Sequence, residues 1–164
     1  MFCGSVEMGI GNPMIRYALA AAIAFAAGAI AHAQTLDQQE RCATQAKRSF
    51  QDIAARDLAE QKQLGGMSRR ISADYQSHYN TKIGKCLMLV ETTDMLGGEN
   101  STTAYLIDAN ECRPYATYVW ISRKDKKYWE VPPTACELAP SLREKRDCKT
   151  REEFDAFVAE YLEE

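Results

Sequence analysis

The sequence is short of the residues that usually carry chemistry. Two histidines occur in 164 residues, His32 and His78. There is no Cys-x-x-Cys and no His-x-x-x-His, the spacings that most often mark a zinc site. There is no Gly-x-Ser-x-Gly elbow of the kind that presents a nucleophilic serine. The net charge is −3, so no excess of one sign marks nucleic acid or an anionic membrane as a partner. No apolar run reaches the ~20 strongly apolar residues of a membrane-spanning helix. No internal repeat is present. These absences leave no catalytic or metal signature.

What is present begins at the N-terminus. Tyr17 to Ala31 carries no charge and is built almost wholly of Ala, Ile, Leu and Phe; Arg16 precedes it and Ala31-His32-Ala33 follows. A basic residue, an apolar run and small side chains at Ala31 and Ala33 are the order of an export signal, with cleavage expected before Gln34. The residues before Met14 hold Glu7 and no basic residue, so Met14 is the expected start of translation. Residues 1–33 are therefore read as a signal peptide and 34–164 as a single secreted domain, periplasmic or extracellular, with no membrane span after cleavage.

Removal of the signal takes His32 away and leaves five cysteines: Cys42, Cys86, Cys112, Cys136 and Cys148. In an oxidising compartment an odd count points to two disulfides and one further thiol. The ranked pairing is Cys136 with Cys148, a local staple, and Cys42 with Cys86, a clamp of helix to sheet. Cys112 is left over, free or crosslinking a dimer.

Asp37-Gln38-Gln39-Glu40 has the form of a helix capping box. Cys42, Ala46, Phe50 and Ile53 follow at helical spacing until Gly65-Gly66. This predicts one long helix over 38–64. Residues 67–80 are polar and mixed, and read as a connecting loop. Lys85–Thr92 and Thr102–Ile107 flank Gly97-Gly98 as two strands of a hairpin with a longish loop. Tyr115–Ile121 reads as a third strand, with Tyr115, Thr117, Val119 and Ile121 on one face and Ala116, Tyr118 and Trp120 on the other. Arg123–Lys127 is a charged turn. Tyr128–Val131 reads as a short edge strand that Pro132-Pro133 stops. Thr150-Arg151-Glu152-Glu153 is a second capping box, and Phe154, Phe157, Val158, Tyr161 and Leu162 form an apolar stripe. The expected class is α+β: a long N-terminal helix, an antiparallel meander of three to four strands, and a short C-terminal helix packed on the sheet, with disulfide staples.

The candidate chemistry is thin. His78 is the remaining imidazole, beside Ser77 in sequence alone; its simpler reading is a loop histidine hydrogen-bonded near Tyr75 or Tyr79. Glu91, Asp94, Glu99, Asp108 and Glu111 lie on strands and turns, where acids commonly serve turn chemistry and solubility. No catalytic residue, cofactor or metal is assigned. Tyr118, Trp120 and Trp129 are the candidate binding residues, since Tyr and Trp suit surfaces with one apolar and one wet side. The expected role is a non-enzymatic module that binds a protein or envelope component through its sheet. The alternative is a small exported hydrolase or thiol-active enzyme using His78 or Cys112.

Overall fold

The run Cys86–Val90 is apolar at every position, and a strand reads that way when both of its faces are covered. In the structure, a computed structural model, that run lies in a strand with a helix packed on each side. Residues 23–63, 68–141 and 143–163 are described, with side chains from residue 36 onward. The expected start at Met14, Gly65-Gly66 and the side chains of Ala31, Ala33 and Gln34 lie outside the described residues.

The elements are α1 (Ile23–Gln63), β1 (Ser68–Asn80), β2 (Lys85–Leu96), β3 (Glu99–Asp108), β4 (Pro114–Ile121), β5 (Ala135–Leu138), β6 (Arg146–Asp147) and α2 (Arg151–Leu162). The six strands form one antiparallel meander in sequence order. The chain divides into two compact units, Met1–Ala33 and Gln34–Glu164, and everything below concerns the second. No helix among the described residues is long and apolar enough to cross a membrane.

The α+β class stands, and several finer expectations are corrected. Among the described residues the sheet has six strands, not three to four. Residues 68–80 are strand β1 rather than a loop, paired with β2 from Ser68↔Leu96 to Asn80↔Lys85 with an irregularity at Ile71. Their polar composition is that of an edge strand whose middle, Ile71–Asp74, is exposed. Residues 128–131 are not a strand. Tyr128–Glu130 is a 3-10 turn, closed by the Lys127 N–H donating to Glu130 Oε2 at 2.9 Å. The strand after β4 is instead β5, beyond the two prolines. Finally, α1 begins at Ile23 and not at Gln38. The Ala-rich residues ahead of Asp37 are strong helix formers, so Asp37 is not a cap here; it pairs with Arg41 one turn on, at 3.0 Å.

Two turns show what the backbone demands. Gly97 and Gly98 both have positive φ, 61° and 91°, which suits the two-residue hairpin turn that matches strand twist. The β2–β3 loop is thus two residues long, with Leu96 opposite Glu99. Between β3 and β4 the buried Asp108 organises the chain: its Oδ1 accepts the N–H groups of Asn110 (2.8 Å) and Glu111 (3.1 Å). Its Oδ2 has no hydrogen bond and relies on the Lys85 ammonium 3.3 Å away.

Alternation then sorts the core into two faces. Leu87, Leu89, Ala104, Leu106, Ala116, Tyr118 and Leu138 meet Phe154, Phe157 and Val158 of α2. Met88, Val90 and Ile107 meet Cys42 and Ala46 of α1, with Phe50 and Ile53 packed beside them. A register shift opposite Leu106/Ile107 puts Tyr115 into the α2 cluster with Ala116, not on the opposite face with Thr117. Thr150 caps α2 by accepting from Glu153 N–H at 3.2 Å. The return bond of that box is displaced by one residue: Glu153 Oε2 accepts from Lys149 N–H at 2.9 Å.

Two disulfides close the structure, Cys42–Cys86 between α1 and β2 and Cys136–Cys148 between β5 and the approach to α2. Cys112 is free and exposed. Such bonds form and persist in non-reducing surroundings.

Candidate contact surface around Trp129

The surface is built from β4 outward. Tyr118 and Trp120 point to the α2 side of the sheet, and the chain leaving β4 folds back over them. Trp120 Nε1–H donates to the Val131 carbonyl at 3.1 Å. Its ring lies 4.8 Å from that of Tyr128, centroid to centroid. The hydroxyls of Tyr118 and Tyr128 are 3.2 Å apart. Burial, then the bond to Tyr128, hold the Tyr118 phenol well above the usual tyrosine range. These contacts fix Tyr128 and Val131, the residues on either side of Trp129 and Glu130.

Trp129 is then carried outward, with 76 % of its surface exposed, beside Tyr128 at 46 %. The Lys127 ammonium sits 5.1 Å from the centre of its indole. A concavity of about 520 Å³ separates Arg123, Lys124 and Lys126 from Pro132 and Pro133. On the other side of the same segment, a concavity of about 500 Å³ lies between Tyr128, Trp129 and the first turn of α2. Arg151 in that turn is engaged already, with Glu91 and, at 2.7 Å, with Asp155.

Of the three aromatic residues read from sequence as a contact surface, Trp129 alone is exposed. Trp120 is half-buried and Tyr118 is 2 % exposed. Both act from beneath, as supports. The remaining contributors, Tyr128, the prolines and the cations of 123–127, read in sequence as an edge strand, a stop and a turn. Only the proline pair hinted that the chain leaves the sheet there.

The other sequence candidates lie apart. His78 is on β1, not in a loop, opposite Leu87; its Nδ1 lies 3.5 Å from Gln39 Nε2, the amide that also bonds Tyr79. Four of the five acids face cations rather than one another. Glu91 faces Arg151, Asp94 faces Arg70 at 2.6 Å, and Asp108 and Glu111 share Lys85. Cys112 sits at the exposed β3–β4 turn, next to Arg113, whose guanidinium stacks over Tyr115 at 4.5 Å. Among the described residues, no group of three or more His, Cys, Asp and Glu side chains is placed to hold a metal ion. No family model, no curated protein and no solved structure matches this chain.

Proposed function

We propose that this protein is an exported, non-enzymatic binding module that contacts a protein or another component of the cell envelope through the segment carrying Trp129. One observation carries the reading: a tryptophan with 76 % of its surface exposed, on a segment held by the indole bond of Trp120 and the phenol pair Tyr118–Tyr128. An exposed Trp costs solubility, and a rigid one loses little entropy on binding, the combination found in contact hot spots. The contact surface is thus the segment laid over the sheet rather than the sheet itself.

Export is part of the same proposal. The apolar run with Ala31-His32-Ala33 supports it, as do the two disulfides and the boundary of the compact unit at Gln34. Cleavage after Ala33 brings Asp37–Glu40 close to the start of the mature helix, where a capping box belongs. N-terminal sequencing of the exported protein is expected to begin at Gln34.

The contact is tested by co-sedimentation with washed envelope from the producing cell, comparing the protein with Trp129→Ala. Retention is expected to fall severalfold while the thermal midpoint holds, since most of the Trp129 surface is exposed. Equal retention of the variant would remove Trp129 as the contact.

A further inference from the structure

The cations beside Trp129 are set apart by their clustering on one exposed segment. Lys85, Arg70, Arg151 and Lys145 each hold a carboxylate. Arg123, Lys124, Lys126 and Lys127 fall within five residues, are all exposed, and form no ion pair among the described residues. Asp125, between them, is turned by a left-handed backbone, φ 63°, and pairs with none of the four. Three of the four are lysines, which act as point charges; shaped recognition of a single carboxylate or phosphate favours the fork of arginine. The arrangement therefore suits a diffuse anionic surface better than one fixed group.

The aromatic partner narrows the choice. Trp129 stands exposed beside lysines and prolines, a setting that does not by itself call for a protein partner. An amphipathic indole with lysines around it is instead the composition of a membrane–water interface, where the ring sits at headgroup level and the ammonium groups reach phosphates. The concavity between Arg123, Lys124, Lys126 and the proline pair, which Glu130 also lines, holds three cations to one acid. We propose that the occupant is a bilayer surface carrying anionic phospholipid, docked by Trp129 and the cations of 123–127. The net charge of −3 hides this patch, where four cations outnumber the two acids of the segment, Asp125 and Glu130. The proposal rests on the binding reading above and names its partner.

The test uses the full chain with vesicles of phosphatidylcholine alone and of phosphatidylcholine mixed with phosphatidylglycerol. The readout is the ratio of the two affinities, which cancels any attraction of the apolar segment 17–31 common to both vesicles. Each surface cation contributes about fivefold, so Lys124→Gln/Lys126→Gln is expected to reduce the ratio roughly 25-fold, as is raising the salt by screening. A lipid carrying a bromine quencher is expected to quench Trp129 fluorescence, and Trp129→Phe to abolish that quenching while the signal of Trp120 remains. A ratio near one, a ratio unchanged in the double variant, or an unquenched Trp129 overturns the proposal. So does binding that soluble polyglutamate displaces without Trp129 contributing, which would indicate an acidic protein. Trp129-dependent retention on whole envelope with no response to vesicles would sink this inference and leave the binding reading standing; loss of both would sink both.

Discussion

Gln39 hydrogen-bonds twice to a single residue of the sheet edge: its Oε1 accepts the Tyr79 N–H at 2.9 Å and its Nε2 donates to the Tyr79 carbonyl at 3.0 Å. In an antiparallel ladder the backbone groups of alternate residues face alternate neighbours. At Tyr79 they face away from β2, and the side-chain amide of α1 takes the place of a missing strand. Asp74 does a smaller version of this by accepting the Tyr75 N–H at 2.8 Å. A 13-residue edge is thereby closed in part by its own chain, which limits pairing with other molecules.

Removal of that amide should be measurable. Gln39→Ala is expected to cost about 1–2 kcal/mol, two net hydrogen bonds, seen as a lower urea midpoint. Amide exchange at Tyr79 should accelerate. Gln39→Glu keeps the acceptor and loses the donor, so its midpoint should fall between the two. Unchanged exchange at Tyr79 in Gln39→Ala would show that the edge does not depend on Gln39.

This edge also explains where sequence reading stopped. The pattern at Cys42, Ala46, Phe50 and Ile53 and the stripe from Phe154 to Leu162 were legible because each helix buries one face. The β2 and β3 runs were legible because they are buried on both. Strand β1 was not, since its composition is set by exposure and its outer edge is closed at Tyr79 by α1, some 40 residues away in sequence. β5 and β6 are four and two residues long, too short to show alternation. The contact surface suffered the same way. Trp120 and Trp129 look alike in sequence, and only the fold of Val131 back onto Trp120 makes one a support and the other exposed.

The two disulfides should contribute unequally. Loop-entropy arguments give about 4 kcal/mol for Cys42–Cys86 and about 3 kcal/mol for Cys136–Cys148, with sequence separations of 44 and 12. Denaturant unfolding of Cys42→Ser/Cys86→Ser and Cys136→Ser/Cys148→Ser should place the first double variant lower. The second should chiefly loosen α2, whose start the bond anchors, and near-ultraviolet signals from Tyr118 and Tyr161 should report it. A larger loss from the shorter loop would mean that docking of α2, not loop entropy, sets the order.

Stability should fall in alkali. Burial raises the phenols of Tyr105, Tyr118 and Tyr161 above the ordinary value of 10.0. In that range the native state keeps protons that the unfolded chain has released, so unfolding gains ground as pH rises. The contribution is intact below about pH 10 and is lost as pH climbs through the native values. Urea midpoints should be level from about pH 7 to 9 and lower at about pH 11. Tyr118→Phe should reduce the alkaline slope, beyond any constant loss from the missing bond to Tyr128. A slope unchanged in Tyr118→Phe would assign the effect to other groups, such as Lys85, whose ammonium is held charged chiefly by Glu111.

Cys112 combines an exposed thiol with a left-handed backbone, φ 54°. Its N–H is fixed to the Asp108 carbonyl at 2.8 Å, so the turn cannot relax to relieve that conformation. A side chain with a Cβ is strained there by about 1 kcal/mol and glycine is not. Cys112→Gly should therefore raise the urea midpoint, where most glycine substitutions lower it, while Cys112→Ser should leave it unchanged. The same pair of variants tests the thiol. The other four cysteines of the Gln34–Glu164 unit are bonded to each other, so a covalent dimer seen on non-reducing gels should vanish in both variants. A dimer that persists in Cys112→Ser, or peptide mapping that joins Cys112 to Cys86 or Cys136, would show that the two intramolecular disulfides exchange.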